Sequence, residues 1–473
     1  MTSPLRNVTV IGGGVVAMVA ALSFARALPR TRIVLVPAPI APDALADRWP
    51  ATLPRSSALF GRLGIDRAAW REGGMVDERL ATSFDGWRAD GRPWWLGDGD
   101  LLAGRGGAAL HQLWLRAGAE AAAPLDTLSP AVRLACAGRL RPGTDDPQSP
   151  WALVEPVLSI HPARAAPLVN AAKAAGVTAA AALAGVEASG ERIEALRLVD
   201  GLRLQPDLVI DASGPAALAA GAVAPAFESW STPLPCDRLL VSRAPSPSGS
   251  TDRYRAGENG WSADWGADRV FAYAASVTSE RQARRIRPAA AELVALRPGR
   301  RCAPWRGNCL ALGEAAVQPG PLARTGFALA LAQLALALDL LPQRNMEPLL
   351  IAEYNRRANG RADRLRDWLA SHYLAASRRR GPFWQAMSAR AAPDGLAATL
   401  TQMRRRGHLP QADDDIISRD AWLSVLLGQG MRPALADPMT RGIDPGVARD
   451  TIRRMAVDLA ALVAALPHAG YAQ

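Results

Sequence analysis

Val8 to Leu22 reads VTVIGGGVVAMVAAL, and the fold turns on how that stretch is read. A short β-branched run meets Gly12-Gly13-Gly14 and passes into small and apolar residues ending near Leu28, so the pattern changes from strand to helix across a glycine turn. The spacing Gly12-x-Gly14-x-x-Ala17 fits a dinucleotide fingerprint. Its first glycine makes the tight turn, its second lets a pyrophosphate approach the backbone, and its small third residue allows close helix packing. Amides at the helix start supply the anion site. A second strand-like run, Thr31 to Val36, completes the βαβ unit, although Pro37 stands where an acid is expected to hold the ribose hydroxyls. A secretory leader is the rival reading, with Arg6, an apolar core from Val8 to Ala25 and cleavage at Ala25-Arg26-Ala27. Three consecutive glycines and a downstream strand that needs its neighbour argue against it.

A chain of 473 residues has room for two or three domains, and its 49% apolar and 21% charged content fits a soluble globular protein. The net charge of +11 comes from arginine, because Lys173 is the only lysine. The arginines are spread along the chain, with short clusters at Arg378 to Arg380 and Arg404 to Arg406 and no nucleic-acid module around them, so no nucleic-acid partner is expected. Cys136, Cys236, Cys302 and Cys309 form no CxxC pair, which points to free thiols in a reducing compartment and to no metal site. The longest apolar run, Gly326 to Leu341, contains Gln333 and Asp339 and is shorter than the ~20 residues of a membrane span. The expectation is a cytoplasmic protein that does not enter a membrane.

Further along, Arg55 to Leu63 reads as a short helix stopped by Gly64, and Arg79 to Trp95 as strands carrying Phe84, Trp87, Trp94 and Trp95. Glycine turns at Gly104 to Gly107 precede a helix from Leu113 to Ala121, and Pro142 to Pro150 is a polar loop. Pro162 opens a helix that Gly176 ends, with Lys173 as a solvated charge in its last turn. Two segments return toward the nucleotide turn. Asp207 to Gly214 is a buried strand ending in an acid and a Ser-Gly turn, and Trp305 to Ala316 is a strand running into Gly313-Glu314. Between them lie the tryptophan-bearing stretches around Trp230 and from Asn259 to Trp265. The nucleotide domain is therefore expected to be discontinuous, over about 1–50, 100–225 and 300–345, with substrate-binding insertions at about 51–99 and 226–299 and a helical region over 346–473.

With these segments in view, the chain resembles the flavin-dependent tryptophan halogenase family. The likeness rests on the GGG turn, Thr52-Leu53-Pro54, Leu63-Gly64-Ile65-Asp66, Phe84-Asp85-Gly86-Trp87, Ile210 to Gly214, Cys236-Asp237-Arg238 and Gly260-Trp261. It continues through Asn308 to Ala316, Pro321-Leu322, Thr325-Gly326, Arg366-Asp367-Trp368, His372-Tyr373 and Pro382-Phe383-Trp384, in an order and spacing that are specific together. The resemblance implies an α/β fold of the FAD-binding, Rossmann-like, two-dinucleotide-binding-domain type, with a mixed substrate-binding layer and C-terminal helices. Members of that family bind reduced FAD, react with oxygen and use a halide to make hypohalous acid, which reaches an aromatic substrate beside an essential lysine. Here that lysine falls on Arg79, the family's glutamate on Ala323 and the adjoining serine on Arg324. A guanidinium offers no free amine, and alanine accepts no proton. The family's Trp-x-Trp signature survives as Trp261 alone, with Ala263 and Gly266 in the later places, which leans toward oxygenation.

The resemblance thus implies FAD held by Gly12, Gly14, Ala17, Asp211, Gly214, Gly313 and Glu314, with the two acids near ribityl or ribose hydroxyls. It places Arg79, Thr325 and Gly326 at the chemistry and Trp94, Trp95 and Trp261 around an aromatic small molecule. No second dinucleotide fingerprint is visible, so reduced FAD is expected from a separate flavin reductase; a homodimer is compatible with all of this. Monooxygenase-like oxidation is the leading expectation. A halogenase with a rearranged centre and a non-catalytic binding protein are the alternatives.

Overall fold

The computed structural model describes residues 3–468 apart from 106, 244–250, 288–290, 379, 411–414 and 436; of the arginine cluster at 378–380, Arg379 therefore lies outside the described residues. The chain forms two compact units, one of Met1–Asp77, Leu158–Asp237 and Val294–Arg366, the other of Glu78–Val157, Arg238–Leu293 and Asp367–Gln473.

The first unit is built on β1 (Asn7–Ile11), α1 (Val15–Ala27) and β2 (Arg32–Val36). They belong to a six-stranded sheet in the order Trp305–Arg306, Cys309–Ala311, Leu208–Asp211, β1, β2, Thr178–Ala179. All pairs are parallel except the Trp305–Arg306 edge, and Val10 lies between Ile210 and Leu35. Strands of this kind are apolar on both faces because helices cover both. That explains why α1 is buried along most of its length and why Gly326–Asp339 is a core helix. The span Leu322–Asp339 is long and apolar enough to cross a membrane, yet it is 83% buried inside the protein.

A second, three-stranded antiparallel sheet, Leu183–Ser189, Arg192–Leu198 and Arg203–Leu204, is fastened to this core by Asn308. The Asn308 amide accepts from Ile193 N at 2.8 Å and donates to Ile193 O at 2.9 Å, with no exposed surface.

The second unit centres on a sheet in the order Glu292–Ala295, Arg238–Arg243, Asp268–Tyr273, Gly260–Trp265, Thr251–Gly257, Ala81–Asp85, Trp94–Gly97. Thr251–Gly257 and Ala81–Asp85 pair parallel, and their flanking pairs are antiparallel. Helices Leu110–Arg116 and Pro130–Cys136 pack with the C-terminal helix Pro445–Ala464 in this unit.

The boundaries differ from the expected ones. Residues 100–157 lie in the second unit, because their helices bury their apolar faces against the C-terminal helix and supply no strand to the parallel sheet. Residues 51–77 lie in the first unit, where Ser56–Leu63 packs on the apolar core helix, and the helical stretch up to Arg366 stays with that unit too. The helix expected over Leu113 to Ala121 is shorter, Leu110–Arg116, because Gly118 takes a left-handed conformation (φ 89°) before a separate turn at Ala119–Ala121. Pro162 opens only a short turn, and the helix proper is Ala166–Ala174.

Replacing Asn308 with alanine leaves the Ile193 amide and carbonyl buried without partners. The expected cost is about 2–4 kcal/mol, as two buried polar groups lose their hydrogen bonds; chemical denaturation of Asn308→Ala against the parent protein measures it.

Candidate functional site

Gly12 fits the tight-turn role. Its φ is 151°, and a Cβ there would lie 2.5 Å from Ala212 O and 2.7 Å from the Ala17 Cβ, so glycine and a small residue at 17 are both required by packing. At Gly14 the obstacle is different. A Cβ would lie 2.1 Å from the carboxyl carbon of Asp47, because the side chain of Asp47 stands in the space before the start of α1. Val16 N donates to Asp47 Oδ1 at 2.9 Å, and Val15 N also donates to this carboxylate. The helix has no acid in its first turn and a glycine N-cap with no side chain, so its orphan amides are answered from 31 residues away. Burial pushes the Asp47 pKa up to about 6, against the lowering effect of the two amides.

Asp47 lies on α2 (Leu45–Arg48), a single turn that closes over the ends of three parallel strands. Ala46 N donates to Glu314 Oε2 at 2.9 Å, and Leu45 N donates to the same carboxylate. Ala44 and Ala46 lie 3.1 Å from where Cβ atoms of Gly214 and Gly326 would sit, a tight approach at both, and Gly214 is also left-handed (φ 71°). Glu314 therefore accepts from α2. Its carboxyl is held well above the usual range by burial first, lowered by the α2 amides and raised by the charges of Asp47 and Asp43. Asp211 is also engaged within the protein. Its oxygens, which have no exposed surface, accept from Ser213 N and Oγ and from Ala219 N and Ala220 N, at 2.5–3.1 Å. The structure thus gives Asp211 a turn-capping role where a hydroxyl-binding one was expected. Gly313 (φ 63°) packs on Val16 and donates its amide to Gln333.

Around Thr325 the backbone is strained. Ala323 (φ 60°) and Arg324 (φ 50°) are left-handed and Thr325 (φ −82°) is right-handed. Thr325 Oγ1 is buried with no hydrogen-bond partner among the described residues. Arg324 reaches away to Ser159 Oγ. An open cleft of about 800 Å³ lies in the same unit, lined by Asp43, Pro215, Ala216, Phe227, Arg297 and Arg301, within the ~300–1,000 Å³ typical of ligand pockets. Lys173 is exposed in the last turn of its helix.

In the second unit Arg79 is not a free cation facing a ligand. Nε and Nη2 donate to Asp98, Nη1 donates to Asp252 at 2.6 Å, and all three residues are buried. Burial works to lower its pKa, but the two carboxylates overturn this and hold the guanidinium above its ordinary value. Trp261 is core: it has no exposed surface, lies tilted at 50° against Tyr254 with ring centroids 5.3 Å apart, and donates Nε1 to Tyr373 Oη. Trp94 stacks on Phe84 with centroids 4.2 Å apart. Trp94 and the half-buried Trp95 line a cavity of about 100 Å³ with Arg88, Trp114, Glu120 and Asp126, below the ~300 Å³ at which ligand pockets begin.

The sequence matches the tryptophan halogenase family over residues 7–445. The chain belongs to that family. Among its relatives is tryptophan 6-halogenase SttH of Streptomyces toxytricini, 28% identical over 52% of this chain and 53% of that protein, so the matched region spans about half of that relative. Tryptophan 6-halogenase ThaL of Streptomyces albogriseolus is 25% identical over 82% of this chain and 79% of its own length. The fold is shared with BrvH, a flavin-dependent halogenase from Brevundimonas sp. BAL3, with a TM-score of 0.89, 24% identity and coverage of 98% and 97% of the two chains. The FAD-binding Rossmann-like architecture expected of the family is thereby the architecture of this chain.

The residue missed in the sequence is Asp47. The available signal was negative: α1 starts without a Ser, Thr, Asp or Asn cap and without an acid in its first turn, so its anion had to come from elsewhere.

Arg79→Met strips both carboxylates of their buried partner and is expected to destabilise the protein by about 3–5 kcal/mol. A melting or denaturant curve checks this. A guanidinium facing a cavity would instead give a change within about 0.5 kcal/mol.

Proposed function

We propose that this chain is a flavin-dependent oxidoreductase that oxidises an aromatic small molecule in a monooxygenase-like reaction, drawing reduced FAD from a separate reductase. The reading is carried by the crevice where β1, Leu208–Asp211 and Cys309–Ala311 end, because its amide donors are preformed and already hold an anionic oxygen. The cradle's donors suit a phosphate. Its volume does not while Asp47 fills the space beside Gly14, so a dinucleotide requires α2 to leave. The 800 Å³ cleft beside Pro215 supplies room for a ring system at the same strand ends.

The chain's own residues argue against a relayed haloamine. Arg79 keeps its proton, with its donors committed to Asp98 and Asp252, and Ala323 supplies no base. What these residues do is structural: Arg79 neutralises two buried acids, and the left-handed pair at Ala323 and Arg324 holds the loop before Gly326. A second reading within the family, halogenation at a rearranged centre, is favoured by one observation, the buried hydroxyl of Thr325, without a partner among the described residues, beside the left-handed pair at Ala323 and Arg324.

The test is turnover with FAD, NADH, a flavin reductase and oxygen on a panel of electron-rich indoles and phenols, with and without bromide. Oxygenated product independent of bromide is the expected outcome, and brominated product establishes the second reading instead. Flavin binding with no product across the panel means a ligand-binding protein that has kept the fold without the chemistry.

A further inference from the structure

We propose that Asp47 is the affinity-determining residue of the dinucleotide cradle, an internal carboxylate that occupies the phosphate position and must be displaced before a pyrophosphate can bind. The inference rests on the flavin reading above and extends it to a residue that neither the fingerprint nor the family likeness singles out.

Three contacts support it. Asp47 Oδ1 lies 2.9 Å from Val16 N, so it uses a donor that a phosphate oxygen would use. The side chain fills the space that the missing Cβ of Gly14 leaves open. The rest of α2 is anchored at the neighbouring strand ends through the Ala46 amide on Glu314, Ala44 against Gly214 and Ala46 against Gly326. Carboxylate and pyrophosphate exclude each other in one space, so the apparent affinity is the intrinsic affinity multiplied by the fraction of molecules with α2 displaced.

The charged groups around Asp47 fix the pH dependence. Glu314 faces it from the third strand end, with Asp43 also acting on Glu314, while Arg48 on α2 turns away to Pro42 O and the Trp49 ring. Asp47 titrates at about 6 in the closed arrangement and returns toward its ordinary value of 3.8 once solvated. The closed form therefore binds the extra proton between these values. Acid favours the plug, displacement releases a proton, and FAD binding strengthens as pH rises toward 6 and levels off above it.

The experiment is titration of the full chain with FAD, followed by flavin fluorescence, and with ADP, followed by calorimetry, from pH 5 to pH 7.5. Parent protein, Asp47→Ala and Asp47→Asn are compared. Parent affinity is expected to fall about fivefold from pH 6 to pH 5. Asp47→Ala is expected to bind both probes at least about tenfold more tightly at pH 7.5 and to lose that slope. Asp47→Asn keeps an oxygen for Val16 N, so it remains closed and loses only the slope; it decides the matter if the alanine variant does not fold. Equal affinity and equal slope in all three overturn the plug while leaving the flavin reading intact. A gain for ADP with none for FAD upholds the plug and overturns the flavin reading. Failure of parent and variants to bind either probe overturns both.

Discussion

A helix that begins on glycine leaves its first amides without partners of its own, and in α1 the group that answers them is a carboxylate of the same chain. That interaction between Asp47 and the Val15–Val16 amides organises what surrounds it. It draws α2 over the sheet, and α2 in turn takes up Glu314 and presses alanines onto Gly214 and Gly326. All three strand ends of the crevice are thus tied to one short turn.

The second unit depends on a different piece of electrostatics. A guanidinium forks toward two carboxylates at once, and at Arg79 it does so with almost no exposed surface. The result is a crosslink between the Val76–Arg79 strand end, the Asp98 turn and the Thr251–Gly257 strand. Aspartates at both 98 and 252 make the arginine stable there, because a single buried carboxylate would leave part of the fork unmatched.

Much of the first unit was legible in the sequence. The β1-turn-α1-β2 pattern, the Gly64 stop and the strands ending at Asp211 and Ala311 all follow from local periodicity and glycine placement, and the structure has them within a few residues. The side-chain partners were less accessible, for a physical reason. Asp47 meets Val16, Arg79 meets Asp252 and Trp261 meets Tyr373 across separations of 31, 173 and 112 residues, which no window of periodicity spans. Asp211 shows the opposite difficulty: an acid before Ser-Gly at a strand end reads equally as a ligand or a turn cap, and only its four donors decide for the cap. The layer boundaries failed where helices such as Leu110–Arg116 pack with an element more than 300 residues away.

The near-absence of lysine has a consequence for how this protein ages. With Lys173 as the sole ε-amine, the side chains offer an electrophilic oxidant in solution one primary amine. The softest remaining surface atoms are sulfur: Cys136 and Cys302 are exposed thiols, and Met439 shows 75% of its surface. Oxidation of those sulfurs gives sulfenic acids and sulfoxides, both of which are reversible.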